Sequence, residues 1–203
     1  MKTAIVIGVG PERGLGAQLC TRFAGEGLKV IVAGRTLSAL EVVVRDIESS
    51  GGQANPLVAD ATRESDIVAL FDAAGDELDL AIYNARNNTP IISRRLGASS
   101  ALAASCLGAR RFAAFNSAKA RLRALAQAMA KEYAGDGIHV AHVVVDGPIG
   151  GNKIMTHFLD AANREDSLIS IEGIVDAFAI LYGQPERTWS FELDVRSSSE
   201  QNG

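Results

Sequence analysis

The chain has 203 residues, 47% of them hydrophobic and 22% charged, with 20 glycines and 5 prolines, which excludes a disordered or fibrous protein and fits one globular domain. Area scaling allows roughly 70% of the extended chain's surface to be buried at this length, enough for a full core. The net charge of −4, carried with dispersed basic residues, excludes an electrostatic footprint for a nucleic acid or an anionic membrane, so the expected partner is a small molecule.

From the N-terminus, Met1 to Thr3 lead into the apolar run Ala4 to Val9, which is too short for a signal peptide's hydrophobic region. No segment reaches the roughly 18 apolar residues of a membrane span. Cys20 and Cys106 lie far apart and outside any CxxC spacing, so neither a disulfide framework nor a zinc site is expected, and a cytoplasmic location fits. Ala4 to Ile7 reads as a buried strand, followed by a glycine cluster and a helix from Leu15 to Ala24 closed by Gly25 and Gly27. Val30 to Ala33 is a second strand. Residues 38 to 47 then form a helix with Leu40, Val43, Val44 and Ile47 on one face, ended by Ser49, Ser50, Gly51 and Gly52. Pro56 to Ala59 reads as a third strand, 63 to 74 as a helix with Ile67, Leu70 and Phe71 inward, and Leu78 to Tyr83 as a fourth strand. Strands apolar on both faces that alternate with amphipathic helices need cover on both sides. The expected fold is therefore α/β, a Rossmann-type doubly wound parallel sheet in three α/β/α layers.

Further along, Ala118 to Tyr133 is the clearest helix, followed by Gly135, Gly137 and the apolar strand Ile138 to Val145. Another helix is expected over 172 to 182 and a closing edge strand over Trp189 to Val195. The expected organisation is a single domain over 1–195 with a polar tail at 196–203. His139 and His142 cannot share one strand face and His157 is remote, so no metal triad is expected. Phe178, Tyr182, Trp189 and Phe191 are expected to close the substrate side or a subunit interface.

Chemistry concentrates in the first strand-to-helix turn. Gly10, Gly14 and Gly16 stand in GxxxGxG spacing around Leu15, where missing side chains let backbone N–H groups at a helix N-terminus approach a pyrophosphate. An NAD-specific site places a carboxylate about 20 residues on, after the second strand. Arg35 stands there instead, and Arg13 lies within the glycine loop. Both offer a planar cation suited to a 2′-phosphate, so NADP(H) is expected over NAD(H).

With these residues in view the chain resembles the short-chain dehydrogenase/reductase family. The resemblance rests on Gly10, Gly14 and Gly16, Asp60-Ala61 after the third strand, Asn84-Ala85 after the fourth, Phe115 to Lys119 opening the long helix, and Gly147-Pro148-Ile149 after the strand 138–145. It implies that Asp60 contacts adenine, Asn84 and Ala85 line the nucleotide, Lys119 holds the nicotinamide ribose, and Pro148 and Ile149 flank the nicotinamide. Read on their own, Asp60 also suits a turn or helix N-cap and Lys119 a solvated helix face.

Three departures qualify the resemblance. The family's YxxxK motif stands here as Phe115 to Lys119, so the usual proton donor is replaced by a ring with no ionisable hydrogen. Loss of a general acid typically slows catalysis by about 10² to 10⁴. Arg86 follows the Asn-Ala pair where the family usually has glycine. Finally, only 26 residues run from Arg86 to Arg111, about half of what the family places there. In one register Leu96 to Arg110 is helical, with Ser105 where an asparagine is usual; the fifth strand and its serine are then absent. In the other, Leu96 to Ser100 ends that strand, the helix is missing, and Ser99 or Ser100 is the candidate serine. The resulting expectation is an NADP(H)-dependent oxidoreductase acting on a small carbonyl or alcohol, with Lys119 and a substitute proton donor such as Ser100 or water, assembled as a dimer or tetramer. The alternatives are a non-catalytic NADP(H)-binding protein and a degenerate relic whose shortened middle prevents folding.

Overall fold

Aliphatic runs alternate with helical stretches bounded by glycine and serine, and in the computed structural model this alternation becomes parallel sheet with helical cover. The structure describes residues 1–10, 12–84, 113–147, 149–150 and 168–198. The chain divides into two units, Met1–Thr89 and Pro90–Gly203.

In the first unit β1 (Thr3–Ile7), β2 (Lys29–Gly34), β3 (Gln53–Val58) and β4 (Leu78–Tyr83) form one parallel sheet in the order β3-β2-β1-β4. Three helices connect them, α1 (Leu15–Gly25), α2 (Leu37–Ser49) and α3 (Glu64–Ala74). Every residue of β1 is buried, as a strand covered on both faces requires. One face carries Ile5, Ile7, Ile31 and Ala33, packed with Ala59 and with Leu70 and Ala74 of α3. Alternation turns Ala4, Val6, Val30 and Val32 to the opposite face, and all four are buried. There α1 and α2 pack on the strands and on each other through buried Leu19, Phe23, Leu40, Val43 and Ile47. This is the three-layer α/β/α Rossmann arrangement.

Two details of this unit differ from the sequence reading. Strand β3 starts at Gln53 rather than Pro56, because its ladder with β2 runs from Lys29↔Gln53 to Gly34↔Val58 and recruits polar residues that no hydropathy pattern marks. Among the described strands β3 is at the edge, where Pro56 can lack an N–H without orphaning a ladder partner. In α3, Ile67, Leu70 and Ala74 face the core, whereas Phe71 is 43% exposed. At 100° per residue, Phe71 falls beyond the inward stripe and the smaller Ala74 completes it.

The second unit contains α4 (Ala113–Tyr133), β5 (His142–Asp146), α5 (Ile171–Tyr182) and β6 (Glu192–Arg196). Helix α4 begins five residues before the expected Ala118, so positions 115 and 119 share one helix. It runs into a 3-10 turn ending at Gly137 in the left-handed region (φ 75°), a conformation glycine adopts without strain. Strand β5 begins only at His142, where the His142 N–H donates to Phe191 O (2.7 Å) and parallel pairing with β6 starts. Residues 138–141 lie ahead of it, and His139 there stacks on Trp189 with ring centroids 4.9 Å apart. Helix α5 is capped by Ser170, whose Oγ accepts from the Gly173 N–H (2.9 Å). Arg196 belongs to β6 and Ser197 is buried, so the polar tail begins later than 196. Among the described residues β5 and β6 pair with each other in parallel.

Candidate functional site

At the C-terminal edge of the four-stranded sheet, strand order lines up Asn84 after β4, the glycine turn after β1, Arg35 after β2 and Asp60 after β3. Three strand spacings put this row at roughly 14 Å from end to end. The chain moves outward from β1 through β2 to β3, then crosses back to place β4 on the other side of β1. A crevice at such a reversal, outside the carboxyl ends of the strands, is where open α/β sheets bind ligands.

The turn after β1 is fixed from several directions. Gly8 adopts φ 93°, in the region that favours glycine. The N–H groups of Gly8 and Val9 both donate to Ala33 O at 2.9 Å. From the other side, the Asn84 N–H donates to Ile7 O (2.9 Å) and its Nδ2 makes a long 3.5 Å contact with Gly8 O. A Cβ on Gly16 would lie 3.1 Å from Asn84 Nδ2 and Val9 Cα and 3.2 Å from Gly8 O, so a bare backbone lets α1 pack this closely on the turn. A Cβ on Gly10 would meet nothing within 4 Å; Gly10 leaves open space beside the turn.

Helix α1 starts at Leu15 with Gly14 as its N-cap in extended geometry. No side chain caps it, and its first turn holds no carboxylate. The first bond into the helix is the Gln18 N–H to Gly14 O, at 3.1 Å. The N–H groups ahead of it are the unpartnered donors every helix start leaves, and with the helix dipole they suit an anion. Bare donors, an open Gly10 and no competing carboxylate in the first turn fit the pyrophosphate of a dinucleotide. Arg13 and Arg35 are both exposed, Arg35 directly after the strand next to the turn.

Asp60 sits half-buried after β3. Its Oδ1 accepts from the Thr62 N–H (3.0 Å) and the Thr62 hydroxyl (2.8 Å), and Thr62, with the positive charges of Arg35 and Arg63, holds the carboxyl below its ordinary value. Asp60 is thus a turn residue; the N-cap of α3 is Arg63. Ala61 packs against the core cluster beside α3. In the second unit Lys119 is partly buried on α4. Position 115 is placed in the same helix, while the Phe115 side chain lies outside the described residues. Ile149 makes an isolated parallel bridge with Ile169. Ala85, Ser100, Pro148 and both readings of 86–111 also lie outside the described residues. Tyr83 is 55% exposed, a surface position.

The first unit therefore gathers Gly10, Gly14, Leu15, Gly16, Arg13, Arg35, Asp60, Ala61 and Asn84 along one sheet edge, whereas Lys119 and Ile149 belong to the second. Two residues carry more than the sequence reading gave them. A Cβ on Gly34 would sit 2.3 Å from Val9 O, so Gly34 lets β2 reach the glycine turn; its place between Ala33 and Arg35 was the only signal. Asp66 Oδ2 accepts from the Asp60 N–H at 2.8 Å, a bond that no spacing rule indicates. Among the described residues no group of His, Cys, Asp and Glu could hold a metal ion, and no helix is long and apolar enough to cross a membrane.

A family model described as short chain dehydrogenase matches residues 2–93, the stretch that contains this sheet edge. The human protein Dehydrogenase/reductase SDR family member 1 is 33% identical over 89 residues, covering 42% of this chain and 28% of that protein. The aligned stretch thus spans under a third of that curated relative. A crystal structure of a short-chain dehydrogenase from Rhodopseudomonas palustris is 27% identical with a TM-score of 0.68, covering 96% of this chain and 98% of the other. L-Sorbose reductase from Gluconobacter frateurii, solved with NADPH and L-sorbose, matches with a TM-score of 0.77 over 100% of this chain and 97% of its own; at 16% identity it speaks to the fold alone. Sequence match over the glycine turn and its strands, together with agreement of fold, makes residues 2–93 similar to the short-chain dehydrogenases and the whole chain similar in fold to them.

Proposed function

We propose that the protein is an NADP(H)-dependent oxidoreductase that moves a hydride between the coenzyme and a small carbonyl or alcohol. The observation that carries this reading is the uncapped N-terminus of α1, pinned against β1 through Gly16 and Asn84 and open at Gly10. The nicotinamide ring of the bound coenzyme would supply the hydride acceptor or donor. This chain's residues would do the rest: N–H groups at the start of α1 hold the pyrophosphate, Asp60 meets the adenine, and Asn84 lines the nucleotide. Preference for a 2′-phosphate is supported by the exposed Arg35 after β2, where an NAD-specific site carries a carboxylate, with Arg13 as a second cation. Lys119, carried on α4, takes the ribose in this reading on the strength of the family motif. The substrate class and assembly as a dimer or tetramer rest on the resemblance alone, and a cytoplasmic location on the two widely separated cysteines.

Fluorescence titration of NADPH and NADH against the folded protein tests the proposal. NADPH binds more tightly than NADH, and Arg35→Asp weakens NADPH by about 10- to 100-fold, the range of a lost charge-assisted contact, while NADH changes little. Equal affinity for both coenzymes in the parent and the variant overturns the NADP preference; no binding of either overturns the site. A second reading, a coenzyme-binding protein without turnover, is favoured by one specific residue, Phe115, which stands where the family's reaction uses a tyrosine hydroxyl.

A further inference from the structure

At the C-terminal end of the β5–β6 pair stands a buried carboxylate with no role in coenzyme binding. Asp146 closes β5 opposite Arg196 of β6, and the residue is only 8% exposed. Its one partner among the described residues is Arg196 Nη2, 3.4 Å from Oδ2. That guanidinium is engaged on Asp194: Nη2 donates to Asp194 Oδ2 (2.7 Å) and Nε to both Asp194 oxygens (3.0 and 3.1 Å). No hydrogen bond reaches the Asp146 carboxylate among the described residues, although a buried carboxylate ordinarily has its lone pairs met. The chain then leaves the strand through Gly147 at φ 146°. Open α/β sheets take their ligands at the carboxyl ends of parallel strands, so an unmet acceptor at this place is suited to an O–H or N–H of a ligand.

Helix α4 fixes what lies beside that carboxylate. Its less exposed stripe is Lys119, Leu122, Ala126, Ala130 and Tyr133, spaced by three and four residues, and the helix packs on β5. Position 115 heads the stripe, one helical turn before Lys119. A short connection over 134–141 joins the end of α4 to the start of β5, so the helix runs back along the strand with its N-terminal end toward Asp146. Arg123 sets the level, because it holds Glu192, the ladder partner of His142. From Arg123 back to position 115 is about 12 Å at the helical rise, and from His142 forward to Asp146 about 13 Å along the strand. Asp146 therefore stands level with position 115, where Phe115 has no proton to exchange. We propose that Asp146 is the proton acceptor of the reaction. Its carboxylate takes the O–H proton of an alcohol substrate as the hydride leaves the carbinol carbon for the coenzyme, giving a carbonyl product and a carboxylic acid that passes its proton to water. In the reverse direction the same acid protonates the carbonyl oxygen. The proposal rests on the oxidoreductase reading above and deepens it by naming the group that replaces the missing hydroxyl.

The test uses the full chain with NADP+ and a panel of small primary and secondary alcohols. The parent oxidises at least one of them. Asp146→Asn lowers kcat by about 10²- to 10⁴-fold, the usual share of a general base, while NADPH affinity by fluorescence titration stays as in the parent. Asp146→Ala loses the same rate and regains it in proportion to added formate, a rescue that a merely structural role would not give. A readout without turnover is the infrared difference spectrum on adding trifluoroethanol, an alcohol that gives up hydride poorly, to the protein with NADP+ bound. A shifted carboxylate band appears in the parent and is absent in Asp146→Asn. Unchanged kcat in Asp146→Asn overturns the proposal, as does a joint loss of rate and coenzyme affinity with no rescue by formate, or a parent spectrum without the band. If Asp146→Ala fails to fold, Asp146→Asn, of nearly equal size, decides by its rate, affinity and spectrum. A parent that binds neither coenzyme overturns the functional reading and this proposal with it; one that binds NADPH but oxidises no alcohol overturns this proposal and leaves the coenzyme site standing.

Discussion

Gly34 and Gly10 make opposite demands of the same turn. A Cβ at Gly34 would lie 2.3 Å from Val9 O, a backbone atom that no rotamer change can move, and 3.1 Å from Leu40 Cδ2. Gly34→Ala must therefore push the glycine turn away from β2 or strain both; such overpacking typically costs about 1–3 kcal/mol, and a lowered urea midpoint measures it. Gly10→Ala meets no atom within 4 Å. Its stability stays within about 0.5 kcal/mol of the parent, yet its methyl group enters the space through which a pyrophosphate would approach, so NADPH affinity falls while the melting curve does not. The GxxxGxG spacing in the sequence marks Gly10, Gly14 and Gly16 because strand, turn and helix are contiguous there. Gly34 escapes such a reading because the atom it must avoid lies 25 residues earlier in the chain.

At the scale of elements, the second unit is tied together by a charged clasp. Arg123 of α4 holds Glu192 of β6 with a paired contact, Nη2 to Oε1 at 2.7 Å and Nε to Oε2, and His142 Nδ1 of β5 lies 3.3 Å from the same carboxylate. The Arg123 bond chiefly, with the His142 bond and both positive charges, holds the Glu192 carboxyl below its ordinary value. A depressed carboxyl contributes stability above its unfolded pKa, about 4.3, and that contribution is lost as pH falls through the lower folded value. Urea midpoints measured from pH 5 down to pH 3 therefore fall more steeply in the parent than in Glu192→Gln, which carries no titrating group at that position; parallel slopes would show that the clasp adds nothing. The residue types of Arg123, His142 and Glu192 are visible in the sequence, but their meeting depends on the register His142↔Glu192. The same cause explains why β3 and β5 were misjudged at their starts: pairing, not hydropathy, sets where a parallel strand begins. Helices α1, α2 and α5 were legible to within one or two residues because their period and their glycine or serine ends are local.

For the whole molecule, turnover hinges on one ring, Phe115. If the protein is an oxidoreductase with a substitute proton donor, a panel of small carbonyls shows NADPH consumption above background in the parent. Phe115→Tyr then raises the rate by as much as about 10²- to 10⁴-fold, the usual contribution of a general acid. Turnover confined to Phe115→Tyr, with equal NADPH affinity in both proteins, assigns the natural chain to the coenzyme-binding reading instead. The order of residues alone establishes an α/β fold, a GxxxGxG turn between the first strand and helix, the missing carboxylate after β2 and the phenylalanine at position 115. Each of these is a local pattern of period, spacing or residue identity. Only the folded chain decides that Asp66 holds Asp60, that Gly34 clears Val9, that Phe71 faces outward, and that Asn84, Arg35 and Asp60 line one sheet edge, because these follow from strand order, register and crossover, which join residues that have no spacing in common.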